Sequence, residues 1–313
     1  MKKYGFGVDL GGTTVKIGFF ETSGALLDKW EIKTNTANNG ESIIADIAAS
    51  VLDKLAKDGI AKEEVQGIGI DVPGPVSDMS YVSRCVNLGW ADKNVAKELS
   101  EATGIANVKV CNDANAAALG EMWQGGAKGS KNVVVVTLGT GVGGGVIVDG
   151  KVVEGAHGAG GEIGHFTVNF DEEEACNCGL HGCLEQYCSA TGVARLARRA
   201  LNKSSEATCL RDLAELTAKD VFDAAKANDK LALDVVAEFG KILGRALALI
   251  ATTTDPEVFV IGGGVSKAGQ FLIDAVVENY QSAAFFACKD AKFALATLGN
   301  DAGMYGSMQM ILE

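Results

Sequence analysis

Proline is scarce in this chain, with three residues in 313 against forty glycines. The glycines sit in clusters beside apolar runs, so they mark tight turns and close backbone approaches and exclude a flexible linker architecture. Basic charge is also short: 28 Lys and Arg face 40 Asp and Glu, a net charge of −12. That balance argues against a nucleic-acid or anionic-membrane partner. It leaves a nucleotide possible, because oriented backbone N–H groups bind phosphate without side-chain charge. No apolar stretch reaches the roughly 18–20 residues needed to span a bilayer. The longest with helical period, Ile242 to Ile250, is interrupted by Gly244 and Arg245. The opening MKKYGFGVDLGG has no apolar signal-peptide core. Eight cysteines, three bunched and five scattered, do not make an extracellular disulfide framework. A cytoplasmic protein without a membrane partner is expected.

What is present points to two domains, since 313 residues suffice for two cores. Two segments resemble each other: Phe6 to Phe20, containing Asp9-Leu-Gly-Gly-Thr-Thr14, and Val134 to Val148, containing Thr137-Leu-Gly-Thr-Gly141. Each reads as strand, Gly/Thr turn, strand, then a second turn at Ser23-Gly24 or Asp149-Gly150. Two such hairpins about 130 residues apart suggest a duplicated core. Between them, Ser42 to Lys57 carries a helical stripe and Val65 to Val72 is a strand stopped by Pro73-Gly-Pro75. Val108 to Cys111 is a short strand feeding a helix over 112–123, and Val258 to Ile261 is a strand entering Gly262-Gly-Gly264, with a helix from about Ser266. The pattern predicts an α/β protein of two domains: residues 1–118 plus 300–313, and residues 119–299.

Each candidate site has a plainer reading beside it. In the first hairpin Gly11 and Gly12 let the backbone approach a phosphate, Thr13 and Thr14 supply hydroxyls, and Asp9 can face Mg²⁺ through water. The plainer reading is a tight turn with a satisfied Asp. The second hairpin (Thr137, Gly139, Thr140, Gly141) and the turn Gly262, Gly263, Gly264 favour two phosphate grips and a wall for a nucleotide base. The pattern is not a GxxxxGK[ST] loop. Asp113 stands where a strand end meets a helix start, so it can be a cap or a carboxylate kept ionised by the helix dipole and able to accept a proton. Cys176, Cys178 and Cys183, spaced by small and polar residues, suit a metal better than a core. His165 and His181 both compete as fourth ligand; His157 reads as a loop residue. Four protein ligands leave no open position, so a zinc here is structural.

Taken together, Asp9 to Thr14, Thr137 to Gly141, Glu162-Ile-Gly-His165, Cys176-Asn-Cys-Gly-Leu-His-Gly-Cys-Leu-Glu185 and Ile261 to Ser266 resemble the ROK family of sugar kinases and repressors over essentially the whole chain. Asn87-Leu-Gly-Trp90, after Pro73-Gly-Pro75 and with Asn112-Asp113, is similar to the glucokinase branch. The resemblance implies an actin-like, ribonuclease-H-like duplicated fold with ATP and sugar in an interdomain cleft. It implies Asp113 as catalytic base on the sugar 6-hydroxyl. Gly74, Asn87, Asn112, Asp113, Glu162, His165 and Glu185 become sugar-binding. Asp9, Gly11 to Thr14, Lys16, Thr137, Gly139 to Gly141 and Gly262 to Gly264 serve ATP and Mg²⁺. His165, Cys176, Cys178 and Cys183 become the zinc ligands, and a homodimer is implied. Kinases for fructose, mannose or N-acetyl hexosamines share these residues. A sugar-responsive repressor is the rival from another class, but the first hairpin begins at residue 6, where a DNA-binding region would stand. An actin- or chaperone-like ATPase is disfavoured by the metal loop.

Overall fold

In the computed structural model, which describes residues 2–312, the chain divides into two compact units. The first runs to Gly129 and adds Val152–Gly160 and the residues from Thr297 onward; the second comprises Ser130–Lys151 and Gly161–Ala296. The boundary therefore falls eleven residues beyond the expected 118, because the helix there continues to Gln124 and ends at Gly125. The irregular segment 152–160 also joins the first unit, which no periodicity announced.

The first unit opens with β1 (Tyr4–Leu10), β2 (Thr14–Glu21) and β3 (Leu26–Lys33), then a short α1 (Ala37–Gly40) and α2 (Ile43–Asp58). Helix α2 buries Ile43, Ile44, Ile47, Ala48, Val51 and Leu55 on one face and ends at Gly59 in the left-handed region. β4 (Val65–Val72) follows, then the small antiparallel sheet β5 (Val76–Ser77), β6 (Tyr81–Cys85) and β7 (Trp90–Asn94). Next come α3 (Val95–Thr103), β8 (Val108–Asn112) and α4 (Asp113–Gln124). The main sheet has the order β3-β2-β1-β4-β8: β1 is antiparallel to β2 and parallel to β4, and β4 is parallel to β8.

The second unit repeats that plan. It contains β9 (Val133–Leu138), β10 (Val142–Val148), β11 (Lys151–Val152, whose last residue falls in the first unit), α5 (Glu185–Cys188), α6 (Ala190–Lys203), α7 (Ala218–Lys226), α8 (Lys230–Thr254), β12 (Val258–Gly262), α9 (Gln270–Ala283) and β13 (Lys292–Leu295). Its sheet order is β11-β10-β9-β12-β13, again with an antiparallel hairpin followed by parallel neighbours. The expected duplication is thus present strand for strand. Helix α9 starts at Gln270, not near Ser266, because Gly269 at φ +72° separates it from a 3₁₀ turn over Gly264–Ala268.

Each sheet has its own apolar core. Phe6, Val8, Ile17, Ile47, Val51, Ile68 and Ile70 are central in the first, and Val134, Val136, Phe239, Leu243, Leu247, Phe259 and Ile261 in the second. The chain ends in α10 (Ala302–Met310), which returns to the first unit as anticipated for its last residues. It packs backbone against backbone. A β-carbon at Gly69 would stand 1.7 Å from the Ser307 carbonyl oxygen, and one at Gly7 would stand 2.0 Å from that of Met304. Only glycine fits at those two strand positions. Among the described residues, no helix is long and apolar enough to cross a membrane.

Candidate active site

In the first unit the predicted residues gather at the C-terminal ends of β1, β4 and β8. The tip of the first hairpin closes by Gly11 N–H donating to the Thr14 carbonyl at 3.0 Å, and Thr34 Oγ1 braces it by donating to the Gly11 carbonyl at 2.7 Å. Gly12 and Thr13 are exposed, so their N–H groups are open to a ligand. Asp9, at the end of β1, pairs with Lys16 on β2 at 2.9 Å, and Lys16 also donates to the Asn300 carbonyl at 3.0 Å. Asn87 lies beside the tip: a β-carbon on Gly12 would be 3.8 Å from Asn87 Cβ.

The junction of β8 and α4 bears on the capping reading of Asp113. Asn112 is the cap, its Oδ1 accepting from the N–H groups of Ala114 and Asn115 at 2.9 and 3.3 Å. Its Nδ2 donates to the Gly74 carbonyl at 3.3 Å, which ties β8 to the turn after β4. Asp113 accepts from the Ala114 N–H at 2.9 Å and from the Asn112 side chain, and it does not cap the helix. Although its side chain reaches solvent, its recess is crowded enough that burial pushes the carboxyl above the usual aspartate range, helped by the charge on Asp9; the Ala114 N–H opposes this. An ionisable, raised carboxyl free of structural duty suits a proton acceptor.

One group was missed. Asp71 stands in β4 beside Asp9, fully buried, with its carboxyl pushed well up by burial and by the charges of Asp9 and Asp113. The signal was available: a lone Asp inside the apolar run Ile68 to Val72.

In the second unit the hairpin tip docks on α5 and α6. The Ala190 N–H donates to the Gly139 carbonyl at 2.8 Å, and Thr191 Oγ1 donates to the Thr140 carbonyl at 2.9 Å. The other face of the tip is free, since a β-carbon at Gly139 would meet no described atom within 4 Å. Gly141 touches Glu185: a β-carbon there would be 2.7 Å from Glu185 Oε2. Gly263, at φ +81°, packs its backbone on Leu138, joining the third glycine turn to the second hairpin. Beside that turn is a cavity of about 310 Å³ with Ala190, Ala218, Phe222 and Val265 on its walls and Lys219, Asp223 and Lys267 at its edge.

The metal loop also assembles. One nitrogen of His165 and the Sγ atoms of Cys176, Cys178 and Cys183 all lie within 4.8 Å of one another. Cys178 and Cys183 are 3.6 Å apart. His165 Nδ1 is buried without a hydrogen-bond partner among the described residues, while Nε2 is 4.0 Å from Glu162. An orphaned imidazole nitrogen beside three thiols fits a tetrahedral zinc, whose thiolate and imidazole donor set this is. His181 is exposed on the outer edge of the loop. His157 is exposed in the first unit. Burial pushes the Cys176 thiol up to about 12, and it donates to Glu185 Oε1 at 2.9 Å. Glu185 and His165 therefore sit where metal loop and hairpin tip meet. The loop is braced from behind by Glu172, 8% exposed, which accepts from both Nη atoms of Arg199 at 2.9 Å and from Tyr187 Oη at 2.5 Å. The Arg199 guanidinium holds the Glu172 carboxyl far below the usual range.

A duplicated sheet with a glycine hairpin in each copy defines an α/β protein of the actin-like ATPase fold. The chain belongs to the ROK family, whose model matches residues 5–313. It is 45% identical over 312 residues to a glucokinase of Halalkalibacterium halodurans, covering 98% of this chain and 94% of that one. Its structure is similar to a ROK hexokinase from Thermus thermophilus, with TM-score 0.78, 31% identity and coverage of 97% and 96%. It is also similar to a ROK family glucokinase from Streptomyces griseus in complex with glucose and AMPPNP, with TM-score 0.73, 31% identity and coverage of 98% of both chains.

Proposed function

We propose that this protein is a glucokinase that transfers the γ-phosphoryl group of ATP·Mg²⁺ to the 6-hydroxyl of glucose. The observation that carries the reading is Asp113, relieved of capping by Asn112 and raised in pKa, in a chain whose relatives include proteins named glucokinase. Gly74, Asn87, Asn112, Glu162, His165 and Glu185 hold the sugar hydroxyls. The phosphates rest on the turns Gly11 to Thr14, where the Gly12 and Thr13 N–H groups are open, and Gly139 to Gly141, with Thr137, Lys16 and Asp9 beside them. The base enters the cavity beside Gly262 to Gly264. Asp113 accepts the O6 proton as O6 bonds to the γ-phosphorus and the bond to the bridging oxygen breaks, releasing ADP. Phosphoryl transfer needs mainly positioning and charge stabilisation, so the hydroxyl-binding groups matter as much as the base.

His165, Cys176, Cys178 and Cys183 hold a structural zinc, which supplies a crosslink and no open coordination position. Bound there, zinc would hold the imidazole of His165 in one orientation and leave the second ring nitrogen for a sugar hydroxyl. The protein works in the cytoplasm, where its free thiols stay reduced. It pairs as a homodimer through the exposed face of α8: Leu249 (67% exposed) and Phe170 (89% exposed) form an apolar patch. Glu238, Lys241 and Arg245 alongside give that face both charges, which lets it pair with a second copy of itself across a two-fold axis.

The test is phosphorylation with ATP·Mg²⁺ across glucose, mannose, fructose, N-acetylglucosamine and N-acetylmannosamine. The expected result is the highest kcat/KM on glucose. Preference for an amino sugar would keep the chemistry and replace the substrate, and no activity from zinc-loaded protein would overturn the kinase reading.

A further inference from the structure

The proposed reaction leaves the buried carboxyl of Asp71, in the first unit, unused. Asp71 is fully buried at the end of β4. Along the sheet it stands beside Asp9 of β1 and Cys111 of β8, and it feels the charge of Asp113 at the start of α4. The neighbouring cation, Lys16 of β2, is committed to Asp9. From α10, Ser307 Oγ donates to Asp71 Oδ2 at 2.9 Å. Gly303 of the same helix approaches so closely that a β-carbon there would be 2.9 Å from Asp71 Oδ2 and 3.3 Å from Asp9 Cγ. The second oxygen, Oδ1, is buried with no hydrogen-bond partner among the described residues.

An ionised carboxylate in this place would be dry, would accept one hydrogen bond, and would face two further carboxylates, a costly arrangement. The same group carrying a proton needs an acceptor in place of a donor, and the Asp9 carboxylate is one. We infer that Asp71 is a positioning residue: a neutral carboxylic acid that donates a hydrogen bond to Asp9 and fixes that carboxylate at the root of the first phosphate hairpin. Asp9 then keeps one orientation toward Lys16 while ATP·Mg²⁺ enters and leaves. The role rests on the reading of that hairpin as a phosphate grip. Burial, Asp9 and Asp113 all push the Asp71 carboxyl up, and the Ser307 hydroxyl alone among the larger influences opposes them.

The test compares Asp71→Asn, which can still donate to Asp9 and accept from Ser307, with Asp71→Leu, which can do neither. Asp71→Asn is expected to keep kcat/KM for ATP within about threefold, and Asp71→Leu to lose roughly 10- to 100-fold with the glucose KM unchanged, the scale of a hydrogen bond to a charged group. Equal damage in both variants would overturn the neutral-donor role, and full activity in Asp71→Leu would overturn any positioning role. An infrared difference spectrum, wild type minus Asp71→Asn, is expected to contain a carboxylic-acid C=O band; carboxylate bands there would contradict the inference even if Asp71→Leu fails to fold. That spectrum reads the proton directly, so it separates failure of this inference from failure of the kinase reading, which the sugar panel decides.

Discussion

The two sheets share one order, yet matching positions carry different chemistry. Where β1 and β4 pair Asp9 with Asp71, β9 and β12 pair Thr137 with Gly262. Where the first sheet has Gly7 opposite Gly69, the second has Val135 opposite Val260. The first substitution places carboxyl groups at the strand ends of one copy and leaves the other copy with hydroxyl and backbone groups. The second exchanges a side-chain core for a close backbone contact, because the two glycines admit α10 while the two valines fill the core of the second sheet. Under the proposed function the first copy adds a proton acceptor to its phosphate hairpin, whereas the second offers only an uncharged, glycine-lined grip suited to an anion.

Replacing the proton acceptor should break this division most severely. Asp113→Asn is expected to lose about 10²–10⁴-fold in turnover, the range of a general base, while the cap at Asn112 keeps α4 folded. Steady-state assays with thermal melts check both halves. Next in size is Gly69→Ala, which brings a step toward the valine of the second copy. With Ser307 carbonyl 1.7 Å from the new β-carbon, α10 must move, and a loss of about 3 kcal/mol is expected in denaturant titration. A fully stable variant would deny the close packing. Cys178→Ser is expected to lose stoichiometric zinc and to raise the glucose KM by roughly tenfold, since His165 and Glu185 adjoin the metal loop. Metal analysis with sugar titration reads this, and a zinc-free wild type with an unchanged KM would refute it. The smallest effect is on pH dependence. Because the Asp113 carboxyl is raised and must be ionised to accept a proton, kcat should fall as pH drops through a pKa above the usual aspartate range. Asp113→Asn should lack that limb.

Much of this contrast was legible in the sequence. Both hairpins, α2, β4 and the β8–α4 junction follow from strong period and glycine placement, and the spacing of Cys176, Cys178 and Cys183 pointed to a cluster that the fold brings together with His165. The unit boundary was misplaced because α4 gives no stop signal before Gly125, and 152–160 has neither strand nor helix pattern. The start of α9 depends on one glycine at φ +72°, a conformation that Gly-rich composition does not reveal. Asp71 escaped notice because its meaning lies in a cross-strand register with Asp9, more than sixty residues away in the chain. The brace of Glu172 by Arg199 and Tyr187 likewise required the fold to bring α5 and α6 beneath the loop.

The division of labour itself is tested most directly by kcat and KM for ATP in Asp113→Asn and Gly139→Ala, assayed side by side. A β-carbon at Gly139 has free space in the protein alone, so that variant should fold normally. The account predicts that Asp113→Asn loses turnover with KM for ATP nearly unchanged, and that Gly139→Ala raises KM for ATP with turnover largely kept. Unchanged turnover in Asp113→Asn, or a fall in turnover confined to Gly139→Ala, would contradict it.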